Sequence, residues 1–191
     1  MKRQWLLPIV CAFTLFLFAG TALASPQKST PIPLRDDLSY DAFVHEMSDL
    51  LARKELHTTL SIPEYNADIS EDGFTAYHAA TPSTVQVAFY VKDDRVYRVV
   101  TLYRPAEQQM NAEATAVLTA ICAVNGLTLD EVKQLFHRKT VKENLQVGSV
   151  YCTNTQKHIY TMTNWMDDHV FAVGIFALDN CCLLYTSDAA D

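Results

Sequence analysis

The stretch from residue 84 to residue 104, T-V-Q-V-A-F-Y-V-K-D-D-R-V-Y-R-V-V-T-L-Y-R, constrains the fold more than any other part of the chain. β-branched and aromatic residues dominate both halves, and the polar run Lys92–Arg95 between them predicts the turn of a long β-hairpin. Because Asp93-Asp94 lacks the glycine that favours a two-residue type I′ loop, we expect a four-residue type I turn. Pairing across this turn predicts one mostly apolar face against the core, made of the pairs Val91–Val96, Phe89–Arg98, Val87–Val100 and Val85–Leu102.

The opposite face of this hairpin carries three tyrosines, Tyr90, Tyr97 and Tyr103. Tyrosine rings have an apolar body and a polar tip, and they are enriched at protein and ligand interfaces. The pattern therefore predicts a face that binds a protein or a small-molecule ligand. The alternative is that these rings form a second core layer beneath a helix, since sheets of this length are usually covered on both sides.

Three helices are predicted from capping residues and apolar spacing. Ser39 can cap a helix from about Tyr40 to Arg53, and Asn111 can cap a strongly apolar helix that ends at Val124. The run Thr128-Leu129-Asp130-Glu131 has the form of a capping box and opens a third helix. This third helix is the one expected to cover the tyrosines if they belong to a second core layer.

The C-terminal half returns to strand patterns from Val147 onward. A shift of 74 positions lays residues 74–104 over residues 148–178 without a gap, and each half then reads as a helix followed by three strands. We therefore expect an α+β fold, an antiparallel sheet of meander hairpins packed by helices, with two similar α-β-β-β units as an internal duplication. One pattern favours chance similarity of two hairpins instead. The more apolar face of the second hairpin has the opposite parity to that of the first, so the two hairpins would not bury equivalent positions. That face carries Tyr160, Met162, Phe171, Val173 and Ile175.

Residues 1–24 have the features of an export signal: Lys2 and Arg3, a short apolar run, and a small-x-small site at Ala22-Leu23-Ala24. A retained membrane anchor is the alternative, but the apolar run is shorter than the roughly 20 residues of a membrane span. Residues 25–38 contain three prolines and predict a Pro-rich linker. Residues 39–180 are then expected to form a single α+β domain.

The last ten residues, 182–191, break from the pattern of the rest of the chain. The string C-L-L-Y-T-S-D-A-A-D is identified as the in-frame translation of a transposase adapter used to prepare sequencing libraries. This identification depends on the string and not on physical reasoning. We expect native sequence to stop near Asn180, and we assign no function to the tail.

The formal net charge of the chain is −7 at pH 7, and no basic stripe is apparent. An acidic domain of this kind disfavours nucleic acids and anionic membranes as partners. We expect no membrane span after signal cleavage, and no motif indicates a cofactor.

Two cysteines, Cys122 and Cys152, remain once those of the signal and of the tail are set aside. In an oxidising exported compartment they could form one structural disulfide. Two separate buried thiols, acting as small apolar residues, are the alternative.

One acidic turn has the spacing that begins a calcium loop, with candidate ligands Asp68, Ser70 and Asp72. The twelfth position of such a loop should supply a bidentate glutamate, and it is Ala79 here. The pattern therefore indicates an acidic turn with Gly73 at positive φ more strongly than a metal site. None of the six histidines has a ligand-like or triad-like neighbour at short spacing.

These observations predict an exported protein, periplasmic or extracellular, with a non-enzymatic binding or envelope-associated role. The alternative is a hydrolase-type or metal-dependent enzyme whose site is assembled from distant residues. Convergent histidines or carboxylates in a pocket would indicate catalysis, and exposed tyrosines without such groups would indicate binding.

Overall fold

The computed structural model describes residues 30–179, apart from residues 54, 55, 57, 72, 84, 105–111, 143, 144, 168 and 169. Within this part of the chain there are three α-helices and a nine-stranded antiparallel sheet, which confirms the predicted α+β class. The helices are α1 (Tyr40–Ala52), α2 (Ala112–Val124) and α3 (Leu129–Leu135). The strands are β1 (Pro31–Ile32), β2 (Glu64–Tyr65), β3 (Thr75–Ala80), β4 (Gln86–Lys92), β5 (Arg95–Tyr103), β6 (Lys139–Lys142), β7 (Leu145–Cys152), β8 (Lys157–Asp167) and β9 (Val170–Leu178).

The strand order across the sheet is β2-β3-β4-β5-β9-β8-β7-β6, and β1 pairs with the end of β9. The meanders β3-β4-β5 and β7-β8-β9 therefore meet at their last strands, which run antiparallel. The predicted signal peptide at 1–24 and the predicted adapter tail at 182–191 lie outside the described residues.

The three helices pack on one face of the sheet, which we call the helix face. Its core joins the buried side chains of α1 and α2 to sheet residues such as Val87, Phe89 and Ile175. The other face, which we call the far face, carries a second cluster that includes Tyr90 and Met162. No α-helix of the described part of the chain contributes to that second cluster.

Local signals set the starts of α1 and α3 as predicted, whereas Asn111, the predicted cap of α2, lies outside the described residues. The side chain of Ser39 accepts a hydrogen bond from the backbone N–H of Ala42 at the start of α1. At the start of α3, the Thr128 hydroxyl accepts from the Glu131 backbone and the Glu131 carboxylate accepts from the Thr128 backbone, so the capping box is complete. The same carboxylate accepts from the backbone N–H of Thr153 at 2.8 Å, which ties α3 to the turn after β7.

Stability at acid pH should depend on Glu131. Hydrogen bonds from the backbones of Thr128 and Thr153 lower the pKa of this carboxyl from 4.5 to about 2. A lowered pKa in the folded state means that the stability it contributes is fully present above about pH 4.5 and is lost as the pH falls toward about 2. We expect E131Q to weaken the protein near neutral pH and to flatten this part of its pH dependence, as measured by urea unfolding across the acid range.

The matched control is D130N, which removes an exposed carboxylate from the same helical turn. It should leave the acid profile close to that of the unaltered protein. If E131Q and the unaltered protein lose stability in parallel below pH 4.5, the hydrogen bonds to Glu131 do not stabilise the fold.

The turn of the central hairpin lies where it was predicted but has a different geometry. Lys92 pairs with Arg95, and Asp93 and Asp94 both have positive φ, 48° and 57°. Two central residues with positive φ are the mark of a two-residue type I′ turn, so the predicted type I turn is wrong. Aspartate reaches this conformation more readily than most residues because its short side chain can hydrogen-bond locally.

A β-bulge at Tyr97 changes the pairing of the rest of the hairpin. Val91 pairs with Val96 as predicted, but Tyr90 pairs with Arg98, so Tyr97 is the extra residue. The predicted pairing beyond the first pair is wrong by one residue. Arg98 therefore lies on the far face, beside Tyr90, and not on the apolar face where it was predicted.

The pairing of β5 with β9 relates the two halves of the chain by an approximate two-fold symmetry. Val100 lies opposite Gly174, and the 74-residue shift superposes these same two residues, since 174 − 100 = 74. The same shift, applied to both members of the pair Val99–Ile175, gives the observed pair Val173–Thr101. It relates the pairs Arg98–Phe176 and Leu102–Ala172 in the same way. Such a register favours internal duplication over chance similarity of two hairpins.

The prediction that the two hairpins bury non-equivalent positions, which opposed duplication, is wrong. Phe89 pairs with Val99 in the first unit, and the same shift gives the pair Thr163–Val173 that is observed in the second. Phe89, Val99 and Val173 all belong to the helix-face core. Equivalent positions therefore lie on the same face. The opposite parity came from ignoring two bulges, one at Tyr97 and one at Met166 of the second hairpin. The second bulge places Tyr160 and Met162 on the far face, so the predicted face that joined them to Phe171, Val173 and Ile175 is wrong.

Residues 30–38, predicted as the second part of the Pro-rich linker, pack on the domain, and we call them the strap. Their first residues pair with β9 as strand β1. Leu34 is 0 % exposed, and its backbone N–H donates to the Val96 carbonyl at 2.8 Å. The Lys157 ammonium forms an ion pair of 2.7 Å with Asp36. The folded part of the chain therefore begins before the predicted domain boundary.

Candidate functional site

Four aromatic side chains form a row across three neighbouring strands of the far face. Tyr151 of β7 pairs with His158 of β8, and their ring centroids are 5.0 Å apart. Tyr160, two residues further along β8, pairs with Phe176 of β9, and these two rings stack at 5.7 Å with an interplanar angle of 16°. The ring centroids of His158 and Tyr160 are 6.5 Å apart, so these two rings connect the two pairs. We call these four residues the aromatic row.

Arg98 extends the aromatic row onto β5, because it pairs directly with Phe176. Its guanidinium carbon lies 3.8 Å from the ring centroid of Tyr90 on β4, which is a cation–π contact. The same guanidinium forms an ion pair of 2.5 Å with Glu71. The side chains of Arg98 and Glu71 are only 17 % and 10 % exposed, so this end of the far face holds a mostly buried charge pair.

The electrostatics of this pair follow from its burial. Burial raises the pKa of the Glu71 carboxyl, and the charge of Arg98 beside it acts in the opposite direction. Burial also raises the pKa of Tyr90, which keeps its phenol neutral. The pair fixes the Arg98 side chain against Tyr90 and supplies a rigid end to the aromatic row.

The far face is open at one end and closed at the other. Tyr151, at the β7 end, is 47 % exposed. At the β4 end, Tyr90 is 1 % exposed and belongs to the same buried cluster as Ile69. A ligand could therefore reach the aromatic row from the β7 side.

The three tyrosines predicted to share a binding face are divided between the two faces. Tyr90 is buried on the far face, and Tyr97 packs edge-on against Phe74 with ring centroids 5.3 Å apart. Tyr103 is buried on the helix face, where its ring contacts Phe171 at 5.6 Å. The bulge at Tyr97 is the cause, because an extra residue reverses the facing of every position after it.

The predicted alternative, a second core layer beneath the third helix, does not describe Tyr90 and Tyr97 either. Helix α3 lies on the helix face, since the Leu135 carbonyl at its end accepts a hydrogen bond of 3.0 Å from the Thr161 hydroxyl. Thr161 and its strand neighbour Ile175 face the helices. The tyrosines of the far face are therefore on the side of the sheet away from α3.

Sequence reasoning missed the aromatic row itself. The signal was present in His158 and Tyr160, which are two residues apart and share one face of β8. Their partners Tyr151 and Phe176 come from two other strands, so the row becomes visible only when the register of both pairings is known.

The candidate calcium ligands are placed as follows. Asp68 and Ser70 lie at a 3-10 helix, Ala67–Ile69, whose cap is Asn66. The Ser70 hydroxyl donates to the Asn66 carbonyl at 2.8 Å and accepts from the backbone N–H of Ala76 at 3.0 Å. Asp72 lies outside the described residues. Among the residues that the structure describes, no group of three His, Cys, Asp or Glu side chains could hold a metal ion.

Gly73 adopts a φ of 84°, in the left-handed region predicted for this turn. The two cysteines considered for a disulfide, Cys122 and Cys152, are free and buried. Burial raises the pKa of Cys122 to about 12, which keeps it a neutral thiol. The Cys152 thiol contacts the Asn125 carbonyl at 3.5 Å. The structure therefore has two separate thiols in the helix-face core, which was the alternative prediction.

A cleft of about 310 Å³ lies where the strap meets the turn between β7 and β8. Its charged groups already have partners: Arg35 binds both carboxylate oxygens of Asp37, at 2.7 and 2.6 Å, and Lys157 binds Asp36. A further N–H of Arg35 donates to the Val124 carbonyl at the end of α2. The cleft therefore anchors the strap to the domain.

No single helix among the described residues combines the length and apolar character needed to cross a membrane; α2 and α3 do so only together, and they are bent by 116°. A scan against protein-family models finds no matching family, and searches of curated proteins and of solved structures find no match. The functional assignment therefore depends on the geometry of the far face.

Proposed function

We propose that the chain is an exported, non-enzymatic binding protein, periplasmic or extracellular, that holds a protein or small-molecule ligand on the far face of its sheet. The single observation that supports this proposal is the aromatic row, which is accessible at Tyr151 and anchored at Arg98. The export signal predicted at residues 1–24 and the acidic charge of the chain support the location and disfavour nucleic acid.

The aromatic row suits binding because its rings are rigid. Tyr160 is buried between His158 and Phe176, so its orientation is set before any ligand arrives. A side chain that is already ordered loses little entropy on binding, and tyrosine and histidine offer both an apolar ring and a polar tip. Neighbouring strands are about 4.8 Å apart, so a ligand lying across them would contact the exposed ring of Tyr151 and the partly exposed rings of His158 and Phe176. The buried Tyr160 would hold these rings in place without touching the ligand.

Site-specific photo-crosslinking tests the proposal in the exported protein. We would replace Tyr151 with p-benzoylphenylalanine, irradiate the producing cells, and measure the masses of the covalent adducts. The control position is Tyr65, an exposed tyrosine of edge strand β2 whose ring packs against Tyr77 instead of the aromatic row. We expect a discrete adduct from position 151 and none of the same mass from position 65.

A second measurement covers a small ligand that does not crosslink. Native mass spectrometry of the exported protein should show a bound species that is lost in Y151A and kept in Y65A. Equal behaviour of the variants at positions 151 and 65 in both experiments would contradict a binding role for the far face. Chemical change of a bound species, detected as a new mass over time, would indicate an enzyme instead.

A further inference from the structure

Arg138 is a half-buried arginine on the helix face, in the segment that joins α3 to β6. Its Nη1 donates a hydrogen bond of 3.2 Å to the Thr163 hydroxyl of β8. Its guanidinium carbon lies 5.2 Å from the ring centroid of Phe136 and 5.7 Å from that of Phe171. The side chain is therefore enclosed by two aromatic rings and held at one nitrogen.

The charge of Arg138 has no carboxylate partner among the described residues, unlike the charges of Arg35, Arg98 and Lys157. Its Nε is buried and makes no hydrogen bond. Burial lowers the pKa of Arg138, with Tyr103 acting in the opposite direction. Cation–π contacts offset only part of the cost of removing a charge from water, and a buried charged donor normally has a hydrogen-bonded counter-charge.

The surroundings of Arg138 are aromatic and reach the surface. Tyr103 packs on Phe171 at 5.6 Å, and Trp165 packs on the other side of that ring at 4.9 Å. Trp165 is 43 % exposed, so this group of rings extends from the core to solvent. On the same face, the hydroxyl of Thr101 is fully buried and also lacks a hydrogen-bond partner.

We propose that Arg138 is the anchor of a second binding site, which takes the carboxylate of a small organic acid with an apolar body. Because Nη1 is committed to Thr163, the edge formed by Nε and Nη2 remains for the two oxygens of a carboxylate, the geometry that a guanidinium matches best. The apolar body of the acid would lie among Tyr103, Phe171 and Trp165. This site is on the face opposite to the aromatic row and does not depend on it.

The test uses the exported, full-length protein and four acids: acetate, octanoate, benzoate and phenylacetate. Trp165 reports on the site, because the other tryptophan of the chain, Trp5, belongs to the predicted signal peptide. We expect saturable changes in Trp165 fluorescence with at least one of the three acids that carry an apolar body. Acetate and the neutral amide of the binding acid should cause much smaller changes. Calorimetry then gives the affinity.

R138Q should weaken acid binding about ten- to hundredfold, which corresponds to a lost charge-assisted hydrogen bond. R138K keeps the charge but loses the two-pronged geometry of the guanidinium, so its affinity should lie between those of R138Q and the unaltered protein. R53Q, which removes an exposed arginine after α1, should bind like the unaltered protein. If R138Q does not fold, R138K still reports the loss of the fork. The proposal is overturned if no acid binds below about 10 mM or if both Arg138 variants bind as tightly as the unaltered protein.

Thermal unfolding without ligand separates binding from a structural role. A buried, incompletely paired charge kept for a ligand is unfavourable in the free protein, so R138M should unfold at the same temperature or higher. A fall of several degrees in R138M, together with no acid binding by the unaltered protein, would show that Arg138 serves only the fold and would overturn the site.

Discussion

G148A is expected to lower the free energy of unfolding by about 3 kcal/mol or more, the upper range for overpacking a close contact. A Cβ atom at Gly148 would lie 1.9 Å from the backbone carbonyl oxygen of Leu135 and 2.8 Å from the Thr161 hydroxyl oxygen. The first of these atoms is backbone at the end of α3, so it cannot move away as a flexible side chain would. The end of α3 would have to lift from the sheet, and its hydrogen bond from Thr161 would be lost. Urea unfolding of purified protein measures the change.

G73A is the control for this substitution. Gly73 has φ of 84°, and a Cβ atom there would have nothing within 4 Å. The variant should therefore cost only the strain of a left-handed alanine, about 1–2 kcal/mol. If G148A were no more destabilising than G73A, the close approach of α3 to β7 would be contradicted.

L34A is expected to destabilise the protein by about 2–5 kcal/mol, the usual range for truncating a buried leucine. Leu34 is 0 % exposed and belongs to the helix-face core together with residues of α1. Truncation removes apolar contacts and leaves a cavity beneath the strap. Because the strap follows a Pro-rich stretch that alone predicts a linker, an effect of this size would show that it belongs to the folded domain.

L129A supplies the matched comparison, since Leu129 is 72 % exposed at the start of α3. Its truncation should change the free energy of unfolding by less than about 0.5 kcal/mol. Similar urea midpoints for L34A and L129A would mean that the strap is detached from the core in solution.

The central hairpin shows which structural features local sequence patterns predict and which they do not. The positions of its two strands and of its turn were predictable, because β-branched residues and the Asp93-Asp94 pair act over a few neighbouring residues. The bulge at Tyr97 was not, since nothing next to it marks an extra residue. That one residue decided which of the three tyrosines face the helices and on which face Arg98 lies. Together with the bulge at Met166, it decided that equivalent positions of the two halves lie on the same face.

The candidate sites were less predictable than the fold. The aromatic row joins Tyr151, His158, Tyr160 and Phe176 from three strands, and the proposed acid site joins Arg138 to rings of β5, β8 and β9. Taken alone in the sequence, each residue of these two sites has the pattern of an ordinary strand or loop residue. Their function as a group depends on pairing between segments that are far apart in sequence.

The sequence by itself determined the elements and their class: the caps at Ser39 and Thr128, the apolar stripes of the helices, the alternating strands and the 74-residue repeat. The caps, stripes and strand patterns depend on residues that are close together in the chain, and the repeat is visible as similarity between two stretches of sequence. Tertiary structure alone decided the register of β5 against β9, the placing of all described helices on one face, and the burial of Leu34 and of the Nε atom of Arg138. Those features arise from packing between distant segments, where a single extra residue or one missing Cβ, as at Gly148, changes which surfaces meet.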